Sequence, residues 1–225
     1  MLAAPRSYWA TLPELPLFPL RVVLYPHMPL PLHVFEPRYQ TLLRDCQRDG
    51  GRFGVVAIRS GNEVGGPAEP ERVGTVAITT KRVPLPDGRS HLLVVGGRRF
   101  QITRLLTGTP YLRAQVELLD DQGPDPASFI LASEAGAALR RYAARLARIT
   151  GRTPSSSPNP TDPILLSWVI ASTIMVELAQ KQNLLEQASV SARLRQEIEL
   201  LKRELTFLDL ELANRLQMAP SYDRN

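Results

Sequence analysis

Leu15 to Tyr39 reads LPLFPLRVVLYPHMPLPLHVFEPRY, and the fold turns on how this stretch is read. Prolines at 16, 19, 26, 29 and 31 alternate with large apolar side chains. Each proline fixes φ and removes a ladder donor, so the segment is predicted to form short, edge-like strands broken by turns. It then runs through Phe35-Glu36-Pro37-Arg38-Tyr39 into a helix with Pro37 in its first turn. Tyr39, Leu42, Leu43 and Cys46 follow at helical spacing and make one apolar face. Cys46, the single cysteine, is thereby a small buried side chain, and no disulfide framework exists within one chain.

Outward from this helix the first half has the texture of strands. Phe53–Ile58, Val73–Val83, Leu92–Val95, Arg99–Leu106 and Leu112–Leu118 are short and rich in Val, Ile and Leu. Pro84-Leu85-Pro86-Asp87-Gly88 is predicted to close one hairpin and Gly96-Gly97 the next. Strands at this spacing suggest a small barrel or sandwich. Gly61–Gly66 reads as a loop between two of them.

The period changes after Asp120–Pro126, a polar linker. Leu131, Ala135, Ala138, Leu139, Tyr142, Leu146 and Ile149 form a helical stripe that Gly151 ends. A Pro/Ser loop, Thr153–Pro163, precedes a buried helix capped by Thr161 or Asp162. The last helix carries a heptad seam of Leu194, Ile198, Leu201, Leu205, Leu208 and Leu212. That seam fits an internal bundle, with association between chains as the competing use. The reading is therefore α+β, divided at 119/120, with a helical bundle over residues 120–225.

Composition narrows the function. The chain has 225 residues, 44% hydrophobic and 22% charged, with a formal net charge of +5. Residues 1–119 hold 15 Lys+Arg against 9 Asp+Glu, and residues 120–225 hold 12 against 13. The basic excess is scattered as single arginines rather than gathered in a tract, which argues against nucleic acid as a partner. No apolar core of a signal peptide lies in Met1–Ala10, and Ile164–Val176 is too short to span a bilayer. A cytoplasmic setting is expected, with no membrane partner.

No catalytic constellation emerges. None of Lys81, Lys181 and Lys202 follows a glycine as a P-loop requires, and no G-x-S-x-G elbow is present. His27, His33 and His91 have no metal-ligand spacing, although His27 and His33 lie six residues apart on an extended segment. No catalytic, cofactor-binding or metal residue is assigned, and a binding protein is expected rather than an enzyme.

The motifs in their order resemble the amino-terminal, substrate-binding region of Lon proteases. LPLFPLR, the Tyr25-Pro26 step and the PL-x-x-FEPRY run ending at Tyr39 are similar to its opening. Val73-Gly74-Thr75-Val76-Ala77, Leu85-Pro86-Asp87-Gly88 and Gly97-Arg98-Arg99-Phe100-Gln101-Ile102 follow the family's pattern. Gln182-Asn183-Leu184-Leu185-Glu186 resembles its step before the long helix, which opens with Arg193-Leu194. The resemblance spans about residues 12–215. It implies a PUA-like β-barrel with one short helix, followed by a helical bundle. Neither the ATPase nor the Ser–Lys peptidase domain of a complete Lon protease is read in this sequence, so the stand-alone members are the nearer comparison.

What the resemblance implies is recognition of unfolded or extended polypeptide, a role in protein quality control. Arg21, Phe35, Arg38, Tyr39, Arg98 and Arg99 are the expected contacts, joining apolar area to guanidinium groups. Arg38 has Asp45 and Asp49 as possible intramolecular partners. An RNA or small-molecule binder using the barrel is the alternative, as is an adaptor that docks on a separate protease or pairs with a second copy through the helices.

Overall fold

A computed structural model describes residues 14–47, 50–65, 68–151, 153 and 158–218. The chain forms two compact units. The first comprises residues up to Asp121 together with Glu177–Ala188, and the second comprises Gln122–Val176 and Ser189 onward. The architecture is mixed α+β. A linear division at 119/120 would leave 177–188 with the helices, whereas the contacts join it to the strands.

In the first unit β1 (Glu14–Leu20), β2 (Pro29–Val34), β3 (Arg52–Gly61), β4 (Ala68–Pro84), β5 (Ser90–Leu106) and β6 (Arg113–Leu119) form one sheet in the order β2-β5-β4-β3-β1-β6. β5 also pairs with β6, so β1, β3, β4, β5 and β6 close a ring of hydrogen-bonded strands. Helix α1 (Pro37–Cys46) buries Tyr39, Leu42, Leu43 and Cys46, the face its spacing predicts. Those side chains join Phe18, Leu20, Leu32, Phe53, Val55, Leu92 and Val94 in one core cluster. A second cluster gathers Leu15, Leu17, Val56, Val76, Phe100 and Ala114.

Two expectations from the sequence are corrected. β1 is not edge-like but lies between β3 and β6. Its prolines are tolerated because Glu14–Pro16 pairs with β6 while Leu17–Leu20 pairs with β3. No β1 residue in these registers is laddered on both sides, so a missing donor faces an unladdered flank. Nor do Gly96 and Gly97 close a hairpin: both sit inside the unbroken β5. Gly96 donates to the Met28 carbonyl at 3.0 Å, and its own carbonyl accepts from His27 N–H at 2.7 Å. A Cβ at Gly96 would fall on the Tyr25 carbonyl, so glycine is needed for close backbone approach rather than for a turn. The hairpin predicted at Pro84–Gly88 is present between β4 and β5.

Helix α4 (Leu178–Glu186) is fastened to the strands by polar contacts. Tyr25 Oη donates to the Lys181 carbonyl at 2.9 Å, and Gln182 Nε2 to the Val73 carbonyl at 3.0 Å. Arg99, with its side chain 2% exposed, donates to the Leu185 carbonyl at 2.7 Å, the Asp120 carbonyl at 3.3 Å and Asp121 Oδ1 at 2.9 Å. Burial holds its guanidinium below its ordinary value, against the pull of Asp121 and Asp120. Its neighbour Arg98 pairs at 2.7 Å with an Asp120 side chain that is 80% exposed.

The second unit holds α2 (Pro126–Thr150), α3 (Pro163–Thr173) and α5 (Val190–Met218). Asp125 and Asp162 cap α2 and α3 by accepting from Ser128 and Leu165 N–H, and Gly151 ends α2 in the left-handed conformation at φ 69°. The α2 face that is buried is Ser128, Ala132, Ala135, Gly136, Leu139 and Tyr142, with Leu131, Leu146 and Ile149 only half-buried. At the centre Arg193 lies 3.5 Å over the Trp168 ring and donates through Nε to Ser167 Oγ at 2.6 Å. Ser167 Oγ in turn donates to Glu197 Oε1 at 2.8 Å. Burial raises the Glu197 carboxyl well above its ordinary value, outweighing the Ser167 hydrogen bond and the Arg193 charge. Among the described residues no helix is long and apolar enough to cross a membrane.

Three stability measurements test this account. G96A is expected to cost about 3 kcal/mol or more, since the added methyl meets backbone rather than a yielding side chain, with G123A as a near-neutral control in the same denaturant titration. R99A should cost about 3 kcal/mol because it leaves buried acceptors unmatched, while R98A, at an exposed pair, should cost under about 1 kcal/mol. Equal midpoints for the two arginine variants would show that Arg99 does not fasten α4. Glu197 contributes fully below its ordinary value of 4.5, and that contribution falls as pH rises toward the raised native value. Unfolding of the parent should therefore become easier as pH rises above about 4.5, and E197Q should flatten that slope.

Candidate functional site

The turn into α1 builds the site. Glu36 occupies the N-cap position with extended backbone and no side-chain cap, and Pro37 opens the helix. That geometry directs Phe35 outward, 44% exposed, and Tyr39 inward, 4% exposed. Tyr39 stacks on Phe18 with centroids 4.0 Å apart and planes 12° from parallel. Beside it lies a pocket of about 240 Å³ lined by Phe18, Leu20, Leu30, Leu32, Phe35 and Val64, with Glu36 and Glu63 at its polar end. A second depression of about 300 Å³ shares Tyr39 and runs along Arg38, Pro19 and the 106–112 turn.

Charges at the rim are matched within the chain. Arg38 pairs with Glu36 at 3.0 Å, donates to the Glu63 carbonyl at 3.1 Å and lies 4.6 Å from the Tyr39 ring centroid. Arg21 donates through its side chain to the Gly61 carbonyl at 3.0 Å and through its backbone N–H to Glu63 Oε2 at 3.2 Å. Gly65 N–H donates to Glu36 Oε2 at 3.2 Å. The two arginines thus fasten the loop between β3 and β4, and hold Val64 at the pocket with 56% of its surface exposed. Asp45 accepts from Tyr111 Oη at 2.7 Å, and Asp49, the other expected partner of Arg38, lies outside the described residues.

The groove borders the outer edge of β2, which pairs with no further strand among the described residues, and the backbone decides what that edge can offer. The Met28 carbonyl points at β5, where it accepts from Gly96. Strand alternation then turns Leu30, Leu32 and Val34 toward β5 and leaves Pro29, Pro31 and His33 with their backbone groups on the free side. Because two of those three are proline, the edge presents three carbonyls and a single N–H. Such an edge is a poor template for an added strand.

Of the residues expected from sequence, Phe35 and Tyr39 line this pocket, Arg38 lines the second depression with Tyr39, and Arg21 lines neither but donates to the Gly61 carbonyl at the end of β3. Arg98 and Arg99 form a separate pair with Asp120 and Asp121, and the Arg99 guanidinium is turned inward. In the α5 seam Leu194, Ile198, Leu201 and Leu205 are buried within the second unit and Leu208 and Leu212 half-buried, while Phe207 and Leu210 stand exposed between them. Sequence reasoning missed Val64, hidden in a stretch read as a connecting loop, and Leu30, one of several similar residues in the proline-rich run. It also considered His27 with His33, whereas β2 and β5 place His33 opposite His91 with stacked rings 4.7 Å apart.

Burial first, with Arg38 opposing, pushes the Tyr39 phenol up to about 12, and burial with the Asp45 hydrogen bond does the same to Tyr111. Neither phenol exchanges a proton near neutral pH. Lys181, whose amine burial brings down to about 8, lies 5.9 Å from the Tyr25 ring centroid, on α4. Among the described residues no three His, Cys, Asp or Glu side chains are grouped to hold a metal.

With this geometry, comparison with known proteins is informative. The model of the ATP-dependent protease La (LON) substrate-binding domain matches residues 14–203. Lon protease 2 of Syntrophobacter fumaroxidans is 30% identical over 92% of the chain, and the Lon protease of Anaeromyxobacter dehalogenans 31% over 91%. The Lon protease of Escherichia coli K12 is 29% identical over 88%. The chain spans about a quarter of the length of these relatives. A solved Lon N-terminal domain protein from Xanthomonas campestris is 28% identical with a TM-score of 0.61, over 81% of this chain and 95% of that one. The N-terminal domain of a Mycobacterium avium complex Lon protease, 21% identical with a TM-score of 0.63 over 84% and 98%, shares the fold. Matching the family model across most of its length, the chain belongs to the Lon substrate-binding domain family.

Proposed function

We propose that this chain binds unfolded or extended polypeptide segments at the groove beside β2 and the start of α1, without acting on them chemically. The observation that carries the reading is an apolar pocket flanked by exposed Phe35 and Val64 on a domain of the Lon substrate-binding family. Folded proteins keep their large apolar side chains inside, so a groove of this lining discriminates by what unfolding exposes. The free edge of β2 supports the same reading and refines it. With three outward carbonyls and one N–H, it favours a segment held by inserted side chains and donated hydrogen bonds over one added as a full strand. Arg21 and Arg38, already matched to Glu36, Glu63 and the 61–65 loop, shape the rim.

Fluorescence anisotropy with a reduced, carboxymethylated protein, set beside the same protein in its folded form, is the measurement. Binding to the unfolded form alone is expected. F35A should weaken it roughly tenfold, the effect of losing an aromatic contact at the centre of an interface. R98A, at the separate pair, should leave it unchanged. Equal binding to both forms, or F35A indistinguishable from the parent, would refute the assignment.

A further inference from the structure

We propose that His33 and His91 form a two-imidazole site for a borderline divalent transition metal such as Ni2+, Cu2+ or Zn2+. The two residues are direct partners in the antiparallel β2–β5 register. The Met28–Gly96 hydrogen bond sets the alternation that makes this a non-hydrogen-bonded pair, in which opposed Cβ atoms come closest. Both side chains are exposed, and their rings stack with centroids 4.7 Å apart and planes 24° from parallel.

The ladder fixes both backbones, so only the side-chain torsions remain to be set. The ring torsion of histidine is broad and shallow. Turning the stacked rings edge-on brings one nitrogen from each to the roughly 2.0–2.1 Å that an imidazole–metal bond requires. Among the described residues neither imidazole is hydrogen-bonded to another group, so no existing bond opposes the rotation. The Phe35 ring lies 5.7 Å from that of His33, Val83 is the next residue in register beyond His91, and Lys81 stands two residues from Val83 on β4. Imidazole pairs without carboxylates select Ni, Cu and Zn over Mg and Ca, which demand oxygen donors.

Two protein ligands leave coordination positions open to water or to a donor atom from a bound molecule. His33 and Phe35 also line the groove, so a metal held here would stand at its lip. Metal binding itself requires nothing of the polypeptide reading and is tested without it.

The tag-free full chain is titrated calorimetrically with nickel chloride in a non-coordinating buffer near neutral pH. One ion per chain is expected. Partners that merely support a ligand are worth about tenfold or more in metal affinity, so H33A and H91A should each weaken binding by at least that factor. H27A should leave it unaltered. With Cu2+, electron paramagnetic resonance should show coupling to two nitrogens in the parent and one in either variant. Both side chains are on the surface, so both variants should keep the parent's circular dichroism; H33Q and H91Q, closer in size, serve if either alanine form misfolds. No saturable binding by the parent, affinity retained in H33A and H91A, or an equal loss in H27A would each overturn the assignment.

Discussion

Every closure of the strand ring passes through β5. This one strand pairs with β2 and β4 along its first half, and with β4 and β6 along its second. A flat strand of that length cannot serve three partners, so it has to bend. The register shifts between Thr75 and Ala77, Thr79 and Lys81, and Ile102 and Arg104 supply the bend, as bulges do where sheets curl. Gly96 sits among them because the Tyr25–Met28 turn presses its backbone against β5 there, with His27 at a φ of 66°. From that contact follows the alternation of β2, and from the alternation the outward backbone of Pro29, Pro31 and His33.

The groove is therefore a consequence of how β2 is pinned. The even residues of β2 bond to β5 and feed Leu32 and Val34 into the core. The odd residues keep an exposed edge blunted by proline, which leaves apolar surface open without inviting strand addition. α1 then starts one residue after Glu36, and its third residue, Tyr39, closes the pocket floor by stacking on Phe18. The proline edge and the Arg38–Glu36 ion pair thus border this apolar surface.

How much of this could be read from the residues depends on whether the signal was local. The α1 face, the Pro84–Gly88 turn, the cap at Asp162 and the stop at Gly151 are each set by neighbours within a few positions, and the structure shows all of them. The proline spacing marked short strands because proline acts on its own backbone, yet it could not tell that β2 lies at the edge and β1 does not. Gly96-Gly97 misled because glycine has two uses, turn and close approach, and the second is visible only when the distant Tyr25 carbonyl is in place. Arg99 and Arg98 are adjacent in sequence and differ in burial because one faces α4, more than eighty residues on, and the other faces Asp120 at the surface. The pairing of His33 with His91 is a matter of register, which no single strand records.

Several arginines of the basic first half serve as fasteners within the fold. Arg21 and Arg38 grip the 61–65 loop, Arg99 holds Leu185, Asp120 and Asp121, Arg59 pairs with Glu69, and Arg113 pairs with Glu14 at 2.6 Å. A guanidinium offers five donors in a rigid fork, so one residue can satisfy carbonyls and a carboxylate together where a lysine could not. The charge excess arises because many of these acceptors are backbone carbonyls, which carry no formal charge to offset the arginine. Positive charge in this unit is thus a by-product of fastening loops and α4 to a strand ring. Beside these fastened arginines, Phe35 and Val64 stand exposed at the apolar pocket.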